Sequence, residues 1–195
     1  GVFFNLEQRP SNSYEVFWDI TADKLRDKLY KENLKFWNND RLNQSKNIGL
    51  TPLQVCALAS IVHKETVKAD ERPRIAGVYL NRIKQGMPLQ ADPTAIFAYK
   101  KSKNDFNMII KRVVNEHISI ESPYNTYKVL GIPPGPIFMP DINAIDAVLN
   151  PEQHDYIYFC ASVTKFGYHD FAISFAQHSE NAKKYQAWLN NQNIK

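Results

Sequence analysis

Thr51-Pro52-Leu53-Gln54-Val55-Cys56-Ala57-Leu58-Ala59-Ser60-Ile61-Val62-His63-Lys64-Glu65 is the stretch on which the reading of this sequence turns. The Thr51 hydroxyl can cap a helix, Pro52 suits its first position, and Gln54 completes a capping box. Val55, Leu58 and Val62 then recur at helical spacing up to Glu65. At about 100° per residue, Leu58, Val62 and Glu65 fall within roughly 60° of one another. An ionisable group therefore continues the apolar stripe near the helix's C-terminal end. Burial and the negative end of the helix dipole both disfavour its charged form and raise its pKa. A carboxylic acid kept protonated near neutral pH is what general-acid attack on a glycosidic bond requires. The competing reading makes Glu65 a structural carboxylate paired with Arg72 or Arg74, and such ion pairs are common. His63 lies roughly 140° around the helix from Leu58. No second histidine or carboxylate at helical spacing accompanies it, as a metal site would want. It reads as a surface or supporting residue.

Upstream, Val2, Phe3 and Phe4, then Tyr14, Val16, Phe17 and Trp18, are strand-like, broken by a polar turn around Pro10 to Ser13. Thr21 to Trp37 reads as an amphipathic helix with Leu25, Leu29, Leu34 and Trp37 inward. Downstream, Pro73 to Gln85 is helical, with Ile75, Val78, Tyr79 and Ile83 inward and Gly86 as its stop. Asp92-Pro93 opens a short helix through Tyr99, and Asp105 to about Glu116 is read as another. The prolines and glycines between Gly131 and Pro140 exclude a helix and demand a loop, ordered or mobile. Asp141 caps a helix ending near Leu149. Tyr156 to Ala161 and Tyr168 to Ile173 form a hairpin across Lys165-Phe166-Gly167, and a last helix runs from about Ser174 to Leu189. The expected fold is α+β, a single helix-rich domain over residues 1–195 with a small β-hairpin.

A chain of 195 residues is long enough for one sizeable core and short for two. Net charge is +4 with the lysines scattered, so the concentrated basic stripe of a nucleic-acid binder is missing. No apolar run approaches the roughly 20 residues that span a bilayer. Cys56 and Cys160 sit in apolar stretches outside any closely spaced metal or redox pair, and read as buried free thiols. No Gly-rich phosphate loop and no nucleophile triad signature is present. Asp92, before Pro93, reads first as a helix cap and second as a direct participant. The cluster Tyr124-Asn125-Thr126-Tyr127, in an irregular stretch, offers aromatic faces beside amide and hydroxyl groups, as sugar-binding grooves do.

Several segments together carry a family resemblance. Ala59-Ser60-Ile61-Val62-His63-Lys64-Glu65-Thr66, Glu71-Arg72-Pro73, Asn81-Arg82 and Gly86-Met87-Pro88-Leu89-Gln90-Ala91-Asp92-Pro93-Thr94 come first. Ser122-Pro123-Tyr124-Asn125-Thr126-Tyr127, Gly131-Ile132-Pro133-Pro134-Gly135-Pro136-Ile137, Asn150-Pro151 and Tyr156-Ile157-Tyr158-Phe159 follow, then His169 with Phe171. In this order, over about residues 50–185, the chain resembles the endolytic murein transglycosylases of the MltG, or YceG-like, family.

The resemblance implies a YceG-like catalytic fold and a lyase that acts on peptidoglycan glycan strands. It implies an inner-membrane, single-pass anchor and most of a LysM-like region upstream of Gly1, with the catalytic domain in the periplasm or outside the cell. The cell-wall synthesis machinery is an implied partner; no metal, cofactor or nucleic acid is expected. The family's catalytic glutamate falls on Glu65, the second acidic position of a Val-Glu-Lys-Glu-Thr pattern whose first acidic position here is His63. Gln90, Asp92, Tyr124, Asn125 and Tyr127 are the candidates for holding the glycan. Glu65 would protonate the oxygen between N-acetylmuramic acid and N-acetylglucosamine, then take the proton of the muramic acid C6 hydroxyl as a 1,6-anhydro ring closes. A lysozyme-like muramidase would instead deliver water and need a second carboxylate, Asp92 first. A non-catalytic peptidoglycan-binding module is the third reading.

Overall fold

The computed structural model describes residues 13–110 and 112–191, which leaves Val2, Phe3 and Phe4 outside the described residues. In chain order the elements are α1 (Ala22–Phe36), α2 (Asn39–Asn47), α3 (Pro52–Glu65), α4 (Arg72–Lys84), α5 (Asp92–Ser102), α6 (Asn115–Ile118), α7 (Ile142–Leu149), β1 (Tyr158–Ala161), β2 (His169–Ala172) and α8 (Phe175–Asn191). The architecture is helix-rich α+β with one two-stranded antiparallel sheet, as expected.

Helix α3 is the axis of the core. Its capping box forms as read: the Gln54 amide donates to Thr51 Oγ1 at 3.3 Å, and Gln54 Oε1 accepts from the Thr51 amide at 2.9 Å. Every residue from Val55 to Val62 is buried, so the helix is covered on all sides rather than along one stripe. Helices α2, α4, α5 and α7 pack around it. Tyr79, Leu89, Ile145 and Val148 complete the centre. The proline-rich loop is ordered, because Ile132 and Ile137 pack on the core and the Ile137 amide donates to buried Ser60 Oγ at 3.0 Å. The Asp141 carboxylate caps α7 by accepting from the Ala144 amide at 2.8 Å, and Arg72 Nη1 ties it back to α4 at 2.8 Å.

The hairpin is hung on α4. Gly77 leaves no side chain on that face, and a Cβ there would lie 2.6 Å from both the Glu152 carbonyl oxygen and His154 Nε2. Asn81 Nδ2 donates to the His154 carbonyl at 2.7 Å and Arg82 Nε to the Ile157 carbonyl at 2.7 Å. These bonds fix the entry to β1. Register then pairs Tyr158 with Ala172 and Ala161 with His169.

Three local expectations fail, and one helix was not expected. Tyr14, Val16, Phe17 and Trp18 form no strand: the segment is irregular, turns at Trp18-Asp19, and leaves Phe17 and Trp18 exposed. Leu34 is exposed, whereas Trp37 is buried. Residues 105–110 are not helical, since Asp105 Oδ1 accepts from the Asn107 amide at 2.9 Å and closes a turn; among the described residues that follow, helix resumes at Asn115–Ile118. Helix α2, too polar to show a stripe, went unread; its Arg41 Nη2 donates to Asp146 Oδ1 on α7 at 3.0 Å. Both cysteines are free as expected, and burial pushes the Cys56 thiol up to about 12. Cys160 is only half-buried.

Candidate active site

Where α3 ends, a cleft of about 300 Å³ opens, lined by Glu65, Tyr79, Arg82, Leu89, Gln90, Asp92, Tyr127, Phe159 and His178. Glu65 is half-buried at the last turn of α3. The ion-pair reading of this residue fails, because both candidate arginines are engaged elsewhere. Arg72 binds Asp141 and Asn143, and Arg74 binds Glu152. The carboxyl instead accepts a hydrogen bond from Tyr79 Oη at 2.6 Å. Burial pushes its pKa up to about 7; the Tyr79 bond pulls the other way, the Asp92 charge adds to the rise, and His169 and Arg82 oppose it. The protonated acid expected from the sequence is therefore available near neutrality.

Across the cleft stands a second carboxyl–phenol pair. Tyr127 Oη donates to Asp92 Oδ1 at 2.5 Å, at the exposed rim. Burial, with this bond next, raises the Tyr127 phenol well above its ordinary range, so it remains a donor. Asp92 is not the cap of α5. Ala91 occupies that position, Asp92 is the first helical residue, and its side chain turns to Tyr127. Beneath this rim lies a buried hydroxyl network. Thr126 Oγ1 accepts from the Ala91 amide at 3.0 Å and lies 2.8 Å from Thr94 Oγ1, which donates to the Ala91 carbonyl at 2.7 Å. Gln90 takes a left-handed backbone (φ 48°), and its amide donates to the Thr126 carbonyl at 3.1 Å, which leaves its side chain exposed on the cleft wall.

Of the residues singled out from the sequence, Glu65, Gln90, Asp92 and Tyr127 meet here, and Tyr124 and Asn125 do not. Asn125 is fully buried. Its Nδ2 donates to the Ile118 and Ile120 carbonyls at 3.0 and 2.8 Å, and its Oδ1 accepts from the Tyr127 amide at 3.1 Å. With its amide used to brace the loop, it has nothing left to offer a glycan. The Tyr124 ring packs 4.9 Å from Phe97 beneath the Lys101 ammonium, outside the cleft lining. His63 faces away, as read: its Nδ1 accepts from the Asp141 amide at 3.3 Å and its ring lies 5.0 Å from Phe138.

Sequence reasoning missed the rest of the wall. Tyr79 was read only as an inward apolar position. Arg82 is nearly buried, spending Nε on the Ile157 carbonyl and Nη1 on the Leu89 carbonyl at 2.6 Å, and so locks hairpin and loop together around the cleft. Phe159 comes from β1. His178, stacked on Tyr158 at 5.1 Å, comes from α8 and keeps a buried Nδ1 with no protein partner. Behind them Glu71 holds His169 through both carboxylate oxygens. The Asn81-Arg82 and His169/Phe171 motifs were visible in the sequence, but nothing in their spacing says which cavity they share. Among the described residues no cluster of histidines, cysteines and carboxylates could hold a metal ion, and no helix is long and apolar enough to cross a membrane.

The chain is 36% identical over 167 residues to an endolytic murein transglycosylase of Bacillus subtilis, covering 86% of this chain and 44% of that protein. It is 36% identical over 156 residues to one from Streptococcus pneumoniae, covering 78% and 27%. The chain thus spans less than half the length of these curated relatives. In three dimensions it matches the crystal structure of a yceG-like protein from Listeria monocytogenes with a TM-score of 0.70 and 28% identity, covering 89% of this chain and 54% of that one. The pattern of the YceG-like family matches residues 10–184, nearly the whole chain, and the chain belongs to that family.

Proposed function

We propose that this chain is the catalytic part of a lytic transglycosylase that cuts the bond between N-acetylmuramic acid and N-acetylglucosamine within peptidoglycan strands, with Glu65 as both acid and base. The observation that carries the reading is the carboxyl at the end of α3: held by Tyr79, with no cationic partner within salt-bridge distance among the described residues, and raised to about 7 in an open cleft. Such a group is protonated for the first step and basic enough for the second. Glu65 protonates the glycosidic oxygen as the bond to C1 breaks. The carboxylate so formed removes the C6 hydroxyl proton as that oxygen closes on C1, leaving a 1,6-anhydro end and a neutral acid ready for the next cycle.

Gln90, Asp92 and Tyr127 supply hydrogen-bonding groups on one wall, and Phe159 an apolar face on the other. Strands of the cell wall as substrate, an anchor in the inner membrane and contact with the wall-building machinery belong to this proposal. The names of the relatives, in which this region makes up less than half of the protein, support the substrate alone; the anchor and the machinery are expectations carried by the family resemblance.

A hydrolytic muramidase is the second reading, favoured by the Asp92 carboxylate across the cleft. Glu65→Gln tests the assignment of the acid. The amide keeps the shape and can still accept from Tyr79, but it neither gives nor takes the proton. Turnover of purified glycan strands should fall by about 10⁴-fold or more, since one residue serves both steps. Near-normal turnover in a folded Gln variant would reject Glu65.

A further inference from the structure

Glu71 is a carboxylate that the mechanism above does not use, yet it is only 3% exposed. A charge so buried demands partners, and both of its partners belong to one residue. Oε1 accepts from the His169 amide at 2.8 Å, and Oε2 lies 2.7 Å from His169 Nδ1. The Nδ1 edge of the ring is thus taken up by Glu71, and Nε2 lies at its far edge. The two residues lie on different elements: Glu71 immediately precedes α4, whereas His169 opens β2. Their bonds therefore pin the hairpin to the helix that carries Tyr79. The imidazole meets the Phe159 ring edge-on at 5.1 Å, and Phe159 in turn meets Tyr79 at 5.9 Å. Phe159 and Tyr79 line the cleft; His169 stands one ring behind them.

We propose that Glu71 and His169 are a positioning pair for the Glu65 acid: the buried carboxylate fixes the imidazole behind the cleft wall, and the imidazole so held steadies the carboxylate that Glu65 becomes after giving up its proton. This rests on the reading of Glu65 as acid and base. The groups facing Glu65 are Tyr79 and Arg82 from α4, Asp92 from α5, Tyr127 from the loop that follows α6, and His169 from β2. Arg82 spends its guanidinium on two carbonyls, and Asp92 is itself negative. His169 is thus the basic group facing Glu65 that is not spent on carbonyls, and Glu71 holds it in place. The pair touches no substrate. Its effect should appear in the rate and its pH dependence, and hardly in KM.

The test uses the full-length protein with His169→Gln and Glu71→Gln, each assayed on purified glycan strands from about pH 5 to pH 9, with Glu65→Gln as reference. The rate falls on the alkaline side as Glu65 loses its proton. His169 lowers the Glu65 pKa, so its removal makes that loss harder, and in His169→Gln the alkaline limb should move up by roughly one pH unit. kcat should drop about tenfold, with KM within about twofold. Glu71→Gln should move the limb the same way by less. A ¹³C carboxyl titration of Glu65, assigned by its loss in Glu65→Gln, should show the same upward displacement and remains readable in a variant too slow to assay. A limb and a titration unmoved in both variants would overturn the proposal, whatever happens to rate or melting temperature. An active Glu65→Gln would instead overturn the function on which it rests, so the two failures are distinct.

Discussion

Two carboxyls in this cleft each accept a short bond from a tyrosine, and they are suited to different work. Glu65 with Tyr79 lies at the end of a helix buried on every side, and its acid form persists to about pH 7. Asp92 with Tyr127 sits at an exposed rim on the first turn of a helix. The phenol bond is common to both, and at Glu65 it works against the raised pKa. Burial, supplied by the fold, therefore distinguishes the two carboxyls, and on the proposed reading it is what makes Glu65 the proton donor. Asp92 in turn works on Glu65, since one negative charge across the cleft discourages a second.

The difference can be broken most forcefully at its buried end. Burial raises the folded-state pKa of Glu65 above its unfolded value of 4.5. Its contribution to stability is then fully present below pH 4.5 and is lost as pH rises towards 7, where the buried group must ionise. Glu65→Gln removes that penalty. The variant should match the parent near pH 4.5 and exceed it at pH 8 by on the order of 1–3 kcal/mol. Denaturant melts at both pH values check this, and a gain independent of pH would show that burial does not govern the group.

At the rim, Asn125 holds the loop that presents Tyr127. Asn125→Ala leaves the Ile118 and Ile120 carbonyls and the Tyr127 amide without their partner. Stability should fall by about 1–3 kcal/mol, with turnover reduced only through displacement of Tyr127. A normal melting temperature with impaired turnover would return Asn125 to the glycan. Asp92→Asn removes the opposing charge, so the alkaline limb of the rate profile should move to lower pH, by less than about one unit because the group is exposed and screened. An upward or absent movement would mean that the two carboxyls do not communicate. His63→Glu, off both pairs, should change turnover by less than about tenfold. It should melt slightly earlier, since a second carboxylate would face Asp141. A hundredfold loss would place His63 in the chemistry.

The same contrast explains what could be read beforehand. Glu65 was legible because its signals are local: a capping box, a proline at the first position and apolar residues leading to one acid. The α7 cap and the hairpin were legible for the same reason. Asn125 was misread because an Asn among tyrosines looks like a sugar ligand until the carbonyls of Ile118 and Ile120 are known to lie on its amide. Asp92 was misplaced by one residue, since its phenol partner lies 35 positions away. Helix α2 was missed because its polar residues carry no stripe, and its anchor to Asp146 is equally remote in sequence. Tyr79, His178 and the Glu71–His169 pair depend on which elements pack together, and no periodicity records that.

The central claim concerns the fate of the muramic acid C1 after Glu65 has protonated the leaving oxygen. Mass spectrometry of the fragments released from purified glycan strands reads it directly. If Glu65 alone acts and the C6 hydroxyl closes on C1, the new ends are 1,6-anhydromuramic acid, lighter by one water than reducing ends, and they disappear in Glu65→Gln. Fragments ending predominantly in reducing muramic acid would show that water, not C6, attacks, and would contradict the transglycosylase account even with Glu65 essential.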